Sequence, residues 1–189
     1  AHLVTELLER ADANCEPGEL PARLRVSSIE PRSVDEAFID VLAAADGRVC
    51  RHLHLPLQSG STRVLRAMAR PYSAQRYCAL VRDLYERVPS LALSTDVICG
   101  FPGEDDDDFQ QTLEVSRKCR FSKIHVFPYS RREGTPAASR ADQVNPEVRA
   151  ARAAIFSAAL TTGVFLTGAG STPFRRAVQR AAWALSPSF

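Results

Sequence analysis

Four strand-like runs, each followed by a turn and an amphipathic helical pattern, limit the folds open to this chain. The runs are Arg23 to Ile29, Leu53 to Leu57, Leu91 to Cys99 and Lys123 to Pro128. Between them, apolar residues recur at helical spacing: Val34, Ala37, Phe38, Val41, Leu42 and Ala45; Val64, Leu65 and Met68; Tyr77, Leu80, Val81, Leu84 and Val88; then Phe109 and Leu113. A last helix is expected to begin near Asn145-Pro146-Glu147, and a first one carries Leu3, Val4, Leu7, Leu8 and Ala11 on one face. Strands alternating with helices in this way are joined by right-handed crossovers into a parallel sheet, either doubly wound or closed as a barrel.

The punctuation agrees with that order. Glu16-Pro17-Gly18 and Asp46-Gly47 turn the chain, and Glu30-Pro31 stops the first strand because the residue before proline avoids the helical region. Ser33, Ser61 or Thr62, and Ser73 stand where helix N-caps are needed, and Pro89 lies just past a helix end. The third run, LALSTDVIC, is almost continuously apolar, as suits a strand buried on both faces.

A chain of 189 residues is long enough for one domain with a sizeable core. Its net charge of +2 carries no bulk basic signature, so any nucleic-acid contact would be local. No apolar run is long enough to span a bilayer, and there is no basic-then-apolar leader. The five cysteines, Cys15, Cys50, Cys78, Cys99 and Cys119, form no tight ligand cluster and are expected to be reduced structural thiols in a cytosolic protein.

Polar groups interrupt the pattern at four strand ends: Ser27-Ser28, Gln58-Ser59, Asp96 and Tyr129-Ser130. In a parallel sheet these ends share one rim, where a ligand with hydroxyls and an amino-acid head would meet converging donors and acceptors. The alternative is that they cap helices and satisfy loop backbone. Asp96 is the sharpest signal, since an acid within an apolar strand needs a partner, such as a pair of ribose hydroxyls or an arginine.

Other features read more plainly. Gly100-Phe101-Pro102-Gly103 lets backbone approach a ligand, but lacks the Gly-Lys-Ser/Thr ending of a phosphate loop. The acid run Glu104 to Asp108 reads as a solvated first helical turn. His52 and His54 share a strand face, yet no third ligand lies near them in sequence, which argues against zinc. Arg131-Arg132, Arg63, Arg66 and Arg70 are ordinary for solvated surface, or could face a carboxylate or RNA.

Four segments, RLRVSSIEP (23–31), HLHLPLQSGSTRVLRAMARPYS (52–73), STDVICGFPGEDDDDFQQTL (94–113) and HVFPYSRREGTPAA (125–138), together resemble the methylthiotransferases among the radical S-adenosylmethionine enzymes. The nearest resemblance is to the branch acting on threonylcarbamoyladenosine in tRNA. The resemblance implies a parallel-stranded, partial TIM-like (βα)6 barrel of the radical SAM type, here reduced to about its last four strand–helix units. It implies S-adenosylmethionine across the strand ends beside a [4Fe-4S] cluster, whose reductive cleavage of the cofactor yields the radical. By the same resemblance, Ser28, Gln58, Ser59, Arg70, Asp96, Ile98 and Gly100 would line the cofactor, with Asp96 on the ribose hydroxyls and Gln58 and Arg70 on polar edges.

The departures matter as much. The family's Cys-x-x-x-Cys-x-x-Cys loop is absent from this sequence, and residues 155–189, with Arg175, Arg176, Arg180 and Trp183, match nothing in the family. Residues 1–154 are therefore expected to be the later part of a barrel and 155–189 an unrelated tail, as a frameshift or truncation would produce. The function implied is methylthio transfer to a modified adenosine of tRNA, inactive in this chain alone. Alternatives are a non-catalytic S-adenosylmethionine- or tRNA-binding remnant, or a methylthiotransferase for another tRNA adenosine or a ribosomal protein. An unrelated barrel enzyme using Asp96 and His54 as acid and base has no motif behind it. A cytoplasmic monomer is expected, with both edges of its incomplete sheet open to other chains.

Overall fold

Three parallel strands form the centre of the protein, in the order β1 (His52–His54), β2 (Ala92–Cys99), β3 (Lys123–Pro128). The computed structural model describes residues 1–16 and 23–161. Helices α1 (His2–Ala13), α2 (Glu36–Ala44), α3 (Thr62–Ala67), α4 (Ala74–Arg87), α5 (Asp106–Cys119) and α6 (Pro146–Thr161) accompany the strands. α6 runs on beyond Ala154; the amphipathic stretch Phe174 to Phe189 and the turn at Pro17-Gly18 lie outside the described residues.

The caps place the helices. Ser61 and Ser73 accept the N–H of Val64 and Arg76, as their spacing indicates. α2 starts later than expected, because Pro31–Ser33 forms a single 3-10 turn and Asp35 takes over as the cap through Phe38 N. α5 opens with a reciprocal capping box in which Asp105 and Asp108 each accept the other's backbone N–H.

Sheet pleating separates two chemistries. In register, Leu53 sits beside Leu93, Thr95 beside Ile124 and Val97 beside Val126, and this face packs against the helices. Tyr77, fully buried on α4, donates its hydroxyl to the Leu55 carbonyl at 2.6 Å, and Thr95 Oγ1 ties Leu57 N to Leu55 O. The opposite face carries His54 beside Ser94, Asp96 beside His125 and Ile98 beside Phe127, and among the described residues no layer of core side chains covers it.

The first of the four expected strands does not form as a ladder. Leu24 bridges Val49, and Ile29 N reaches His54 O at 3.1 Å, with no continuous ladder between the two contacts. The segment 23–29 thus lies along β1, fastened at its two ends, and blunts the edge that was expected to be open. α1 contributes Val4 and Leu8 to the core, leaves Leu3 and Leu7 exposed, and is tied down by Arg48 on Asp12.

Candidate functional site

The loop after β1 is the most constrained part of the rim. Gln58 adopts φ +65°, unusual for a residue with a side chain, and is held there by a parallel bridge to Val97: its N–H donates to Asp96 O and its carbonyl accepts from Ile98 N. Gly60 follows with its N–H on Thr112 Oγ1 at 2.9 Å, so close to α5 that a Cβ would lie 2.5 Å from the Thr112 Cα. Ser59 is fully buried, and its hydroxyl is 3.3 Å from Thr112 Oγ1; its side chain braces the loop on α5. The Ser61 hydroxyl then donates to Asp108 at 2.6 Å.

Asp96 has the partner its position demanded, and it is a histidine rather than an arginine. His54 Nε2 lies 3.2 Å from Asp96 Oδ2, and both side chains keep some exposure. His125 joins from β3, so that the ligand atoms of His54, Asp96 and His125 all lie within 4.8 Å of one another. The third member was invisible to a search for neighbours in sequence. The strand register, once known, would have found it, since Asp96 and His125 are paired residues.

Arg70 faces Glu30, its Nη1 3.3 Å from Oε2, and each side chain is about one third exposed (33% and 34%). Sequence reasoning named Arg70 but passed over Glu30, whose only signal was its place directly after a strand-like run. Ser28 is exposed in the segment before it, and Ile98 is half-buried on the Asp96 face of β2. Tyr72, below Arg70, donates to Pro56 O at 3.1 Å, and burial pushes its hydroxyl up to about 12.

Gly100 ends β2 at φ +75°, with its N–H on Glu104 Oε1 at 2.7 Å; a Cβ there would meet Arg149, whose Cα is 3.2 Å away. The close approach is therefore to helix α6. The acid run that follows is not simply solvated. Glu104 and Asp108 at its ends are buried, each facing a guanidinium, Arg152 and Arg63 respectively, while Asp105, Asp106 and Asp107 remain exposed. Burial lifts Glu104 to about 7 in spite of Arg152 and the Gly100 N–H. The opposite holds for Asp108, where hydrogen bonds from Ser61, Asp105 N and Arg63 outweigh burial and hold the carboxyl low.

The residues present fit one of the two groups implied by the resemblance. A carboxylate whose Oδ1 is left over among the described residues, beside a histidine, suits nucleoside hydroxyls, and the Glu30–Arg70 pair offers opposite charges to an amino-acid head. The cysteines do not fit an iron–sulfur cluster. Cys78 and Cys119 stand 3.9 Å apart between α4 and α5, and among the described residues no three cysteines converge.

Comparison with known proteins gives a consistent picture. Residues 2–115 match the model of the radical SAM superfamily. Over 130 residues the chain is 43% identical to a tRNA-2-methylthio-N(6)-dimethylallyladenosine synthase of Alkaliphilus oremlandii, covering 69% of this chain and 27% of that protein. The relative of the same name in Bacillus subtilis is 45% identical over 130 residues, covering 69% of this chain and 25% of its own length. The chain thus spans about a quarter of the curated relatives it matches, and these are named for dimethylallyladenosine rather than the threonylcarbamoyl nucleoside. In fold, coproporphyrinogen III oxidase from Escherichia coli, a radical SAM enzyme, aligns with a TM-score of 0.65 at 19% identity over 85% of this chain and 36% of its own.

Proposed function

The chain belongs to the radical SAM superfamily, and from that premise we propose that it is the cofactor-binding part of a tRNA methylthiotransferase. The observation that carries the reading is the sheet face on which Asp96 stands beside His54, next to the bridged Gln58 backbone and uncovered by core side chains among the described residues. S-adenosylmethionine would be held there: Asp96 accepts from ribose hydroxyls, Arg70 grips the methionyl carboxylate and Glu30 accepts from its ammonium. Gln58, Ile98 and Gly100 shape the wall, Ser28 borders it, and Ser59 supports the loop from behind. When bound, the cofactor supplies the carbon-centred radical that defines the superfamily's chemistry.

The tRNA substrate rests on the relatives' printed names, which favour an N6-dimethylallyladenosine over the threonylcarbamoyl nucleoside of the sequence expectation. Residues 1–154 act as the barrel part, and α6 carries its packing past that boundary through Phe156 and Ala159. The five cysteines offer no cluster site, so the chain alone performs no methylthiolation and serves as a cofactor-binding unit.

Calorimetric titration with S-adenosylmethionine tests this. The wild-type chain is expected to bind, and Asp96→Asn and Arg70→Gln are each expected to weaken binding at least about tenfold, the loss of one charge-assisted contact. Circular dichroism should show both variants folded. Equal affinity for wild type and both variants, or no binding by folded wild type, would reject the reading.

A further inference from the structure

Behind His54 runs a chain of polar contacts whose direction is set at its two ends. Arg25 Nη2 lies 3.1 Å from His52 Nδ1. His52 Nε2 lies 3.2 Å from Ser94 Oγ, and Ser94 Oγ lies 3.0 Å from His54 Nδ1. A guanidinium only donates, so His52 Nδ1 is the acceptor and the proton of that neutral ring sits on Nε2. His52 therefore donates to Ser94. Ser94 Oγ takes that proton on one of its two lone pairs, and because His54 Nε2 faces a carboxylate, which only accepts, the single serine proton goes to His54 Nδ1. The proton of His54 is left on Nε2, the nitrogen beside Asp96 Oδ2.

We propose that Arg25, His52 and Ser94 lock His54 in its Nε2–H tautomer, which makes His54 a fixed hydrogen-bond donor of the site. The pair then presents an acceptor and a donor side by side, matched to a hydroxyl that gives its proton to Asp96 and takes one from His54. This deepens the cofactor reading and rests on it for the identity of the hydroxyl. It also sets a use for the His54, Asp96 and His125 group: with a proton on Nε2 and the Nδ1 lone pair engaged by Ser94, His54 turns no lone pair toward the trio, which makes it a hydroxyl site rather than a metal site.

Long-range proton–nitrogen correlation on the full 189-residue chain at pH 8, where imidazole is neutral, reads the tautomers without any ligand. His54 and His52 are both expected as Nε2–H. Arg25→Met, an exposed change that leaves packing untouched, should turn His52 into a tautomer mixture, and Ser94→Ala should do the same to His54. A dominant Nδ1–H form of His54 in the wild type would overturn the lock, as would a tetrahedral visible spectrum on titration with cobalt(II) alone.

Affinity for S-adenosylmethionine supplies the second arm. His54→Gln keeps an N–H donor and is expected within about threefold of wild type, whereas His54→Phe should lose about tenfold or more. Equal affinity of the two variants would overturn the donor role. Absence of binding by the wild type rejects the cofactor reading, and the tautomers still decide the lock by themselves.

Discussion

Glu104 and Arg152, 48 positions apart, form an ion pair inside the protein, with Nη1 2.9 Å from Oε1 and side chains 1% and 8% exposed. The same guanidinium donates to the Glu104 carbonyl at 3.1 Å and to Asp106 at 2.7 Å, and lies over the Phe109 ring. One residue of α6 thus fastens the loop after β2 to the head of α5. Burial still dominates the carboxyl and raises it from 4.5 to about 7.

A stability–pH dependence follows from that shift. Between about pH 4.5 and 7 the native Glu104 keeps a proton that the unfolded chain has released, so raising the pH through this window weakens the fold. The loss is on the order of 3 kcal/mol and is complete above the native value. Urea midpoints measured from pH 4.5 to 8 should fall and then level. Glu104→Gln should flatten that part of the profile; an unchanged slope in the variant would place the titration elsewhere.

Gly60→Ala should destabilise by roughly 2 kcal/mol, because the added methyl meets α5 backbone, which cannot swing aside as a side chain would. Gly134→Ala is a useful contrast. Its Cβ would meet open space, so the cost there is the positive φ alone, about 1 kcal/mol. Chemical denaturation of the two variants in parallel separates crowding from conformation.

Ser61→Ala removes both the cap of α3 and a donor to buried Asp108, and should cost about 2 kcal/mol. Asp107→Ala, in the exposed middle of the acid run, should change stability by less than about 0.5 kcal/mol. Similar losses from the two changes would contradict the division of that run into buried ends and a solvated middle.

Cys78 should be the most reactive of the five thiols. The Cys119 thiol donates to it and, with Lys118, lowers it to about 7, whereas burial lifts Cys99 to about 12 and Cys119 is raised as well. Alkylation followed by mass spectrometry should label Cys78 first, with a rate midpoint near pH 7. Cys119→Ala should move that midpoint toward the ordinary thiol range; labelling of Cys99 first would be incompatible with the packing.

Much of this arrangement was legible in the chain itself. Ser61, Ser73 and the apolar run before Cys99 announce two helix starts and the central strand, because caps and continuous apolarity are local signals. The parallel sheet and the exceptional position of Asp96 were legible for the same reason. The partners of Asp96 were not. His54 and His125 reach it through strand register, a relation between residues 29 and 42 positions away that no local pattern encodes. The burial of Glu104 escaped notice because its cause, Arg152, arrives on the last described helix. Ser59 looked like a ligand group because polarity alone does not tell which side of a loop faces the rim.

Gln58, bridged to Val97 on one side and followed by a glycine seated on Thr112 on the other, has further significance. A loop braced from two directions has already surrendered its conformational freedom when the chain folds. A molecule arriving at this rim is spared most of the ordering cost that a floppy receptor would impose on it. A ligand held at this rim as proposed would be recognised by complementarity to a finished surface, and discrimination between close analogues should show itself in how fast they leave.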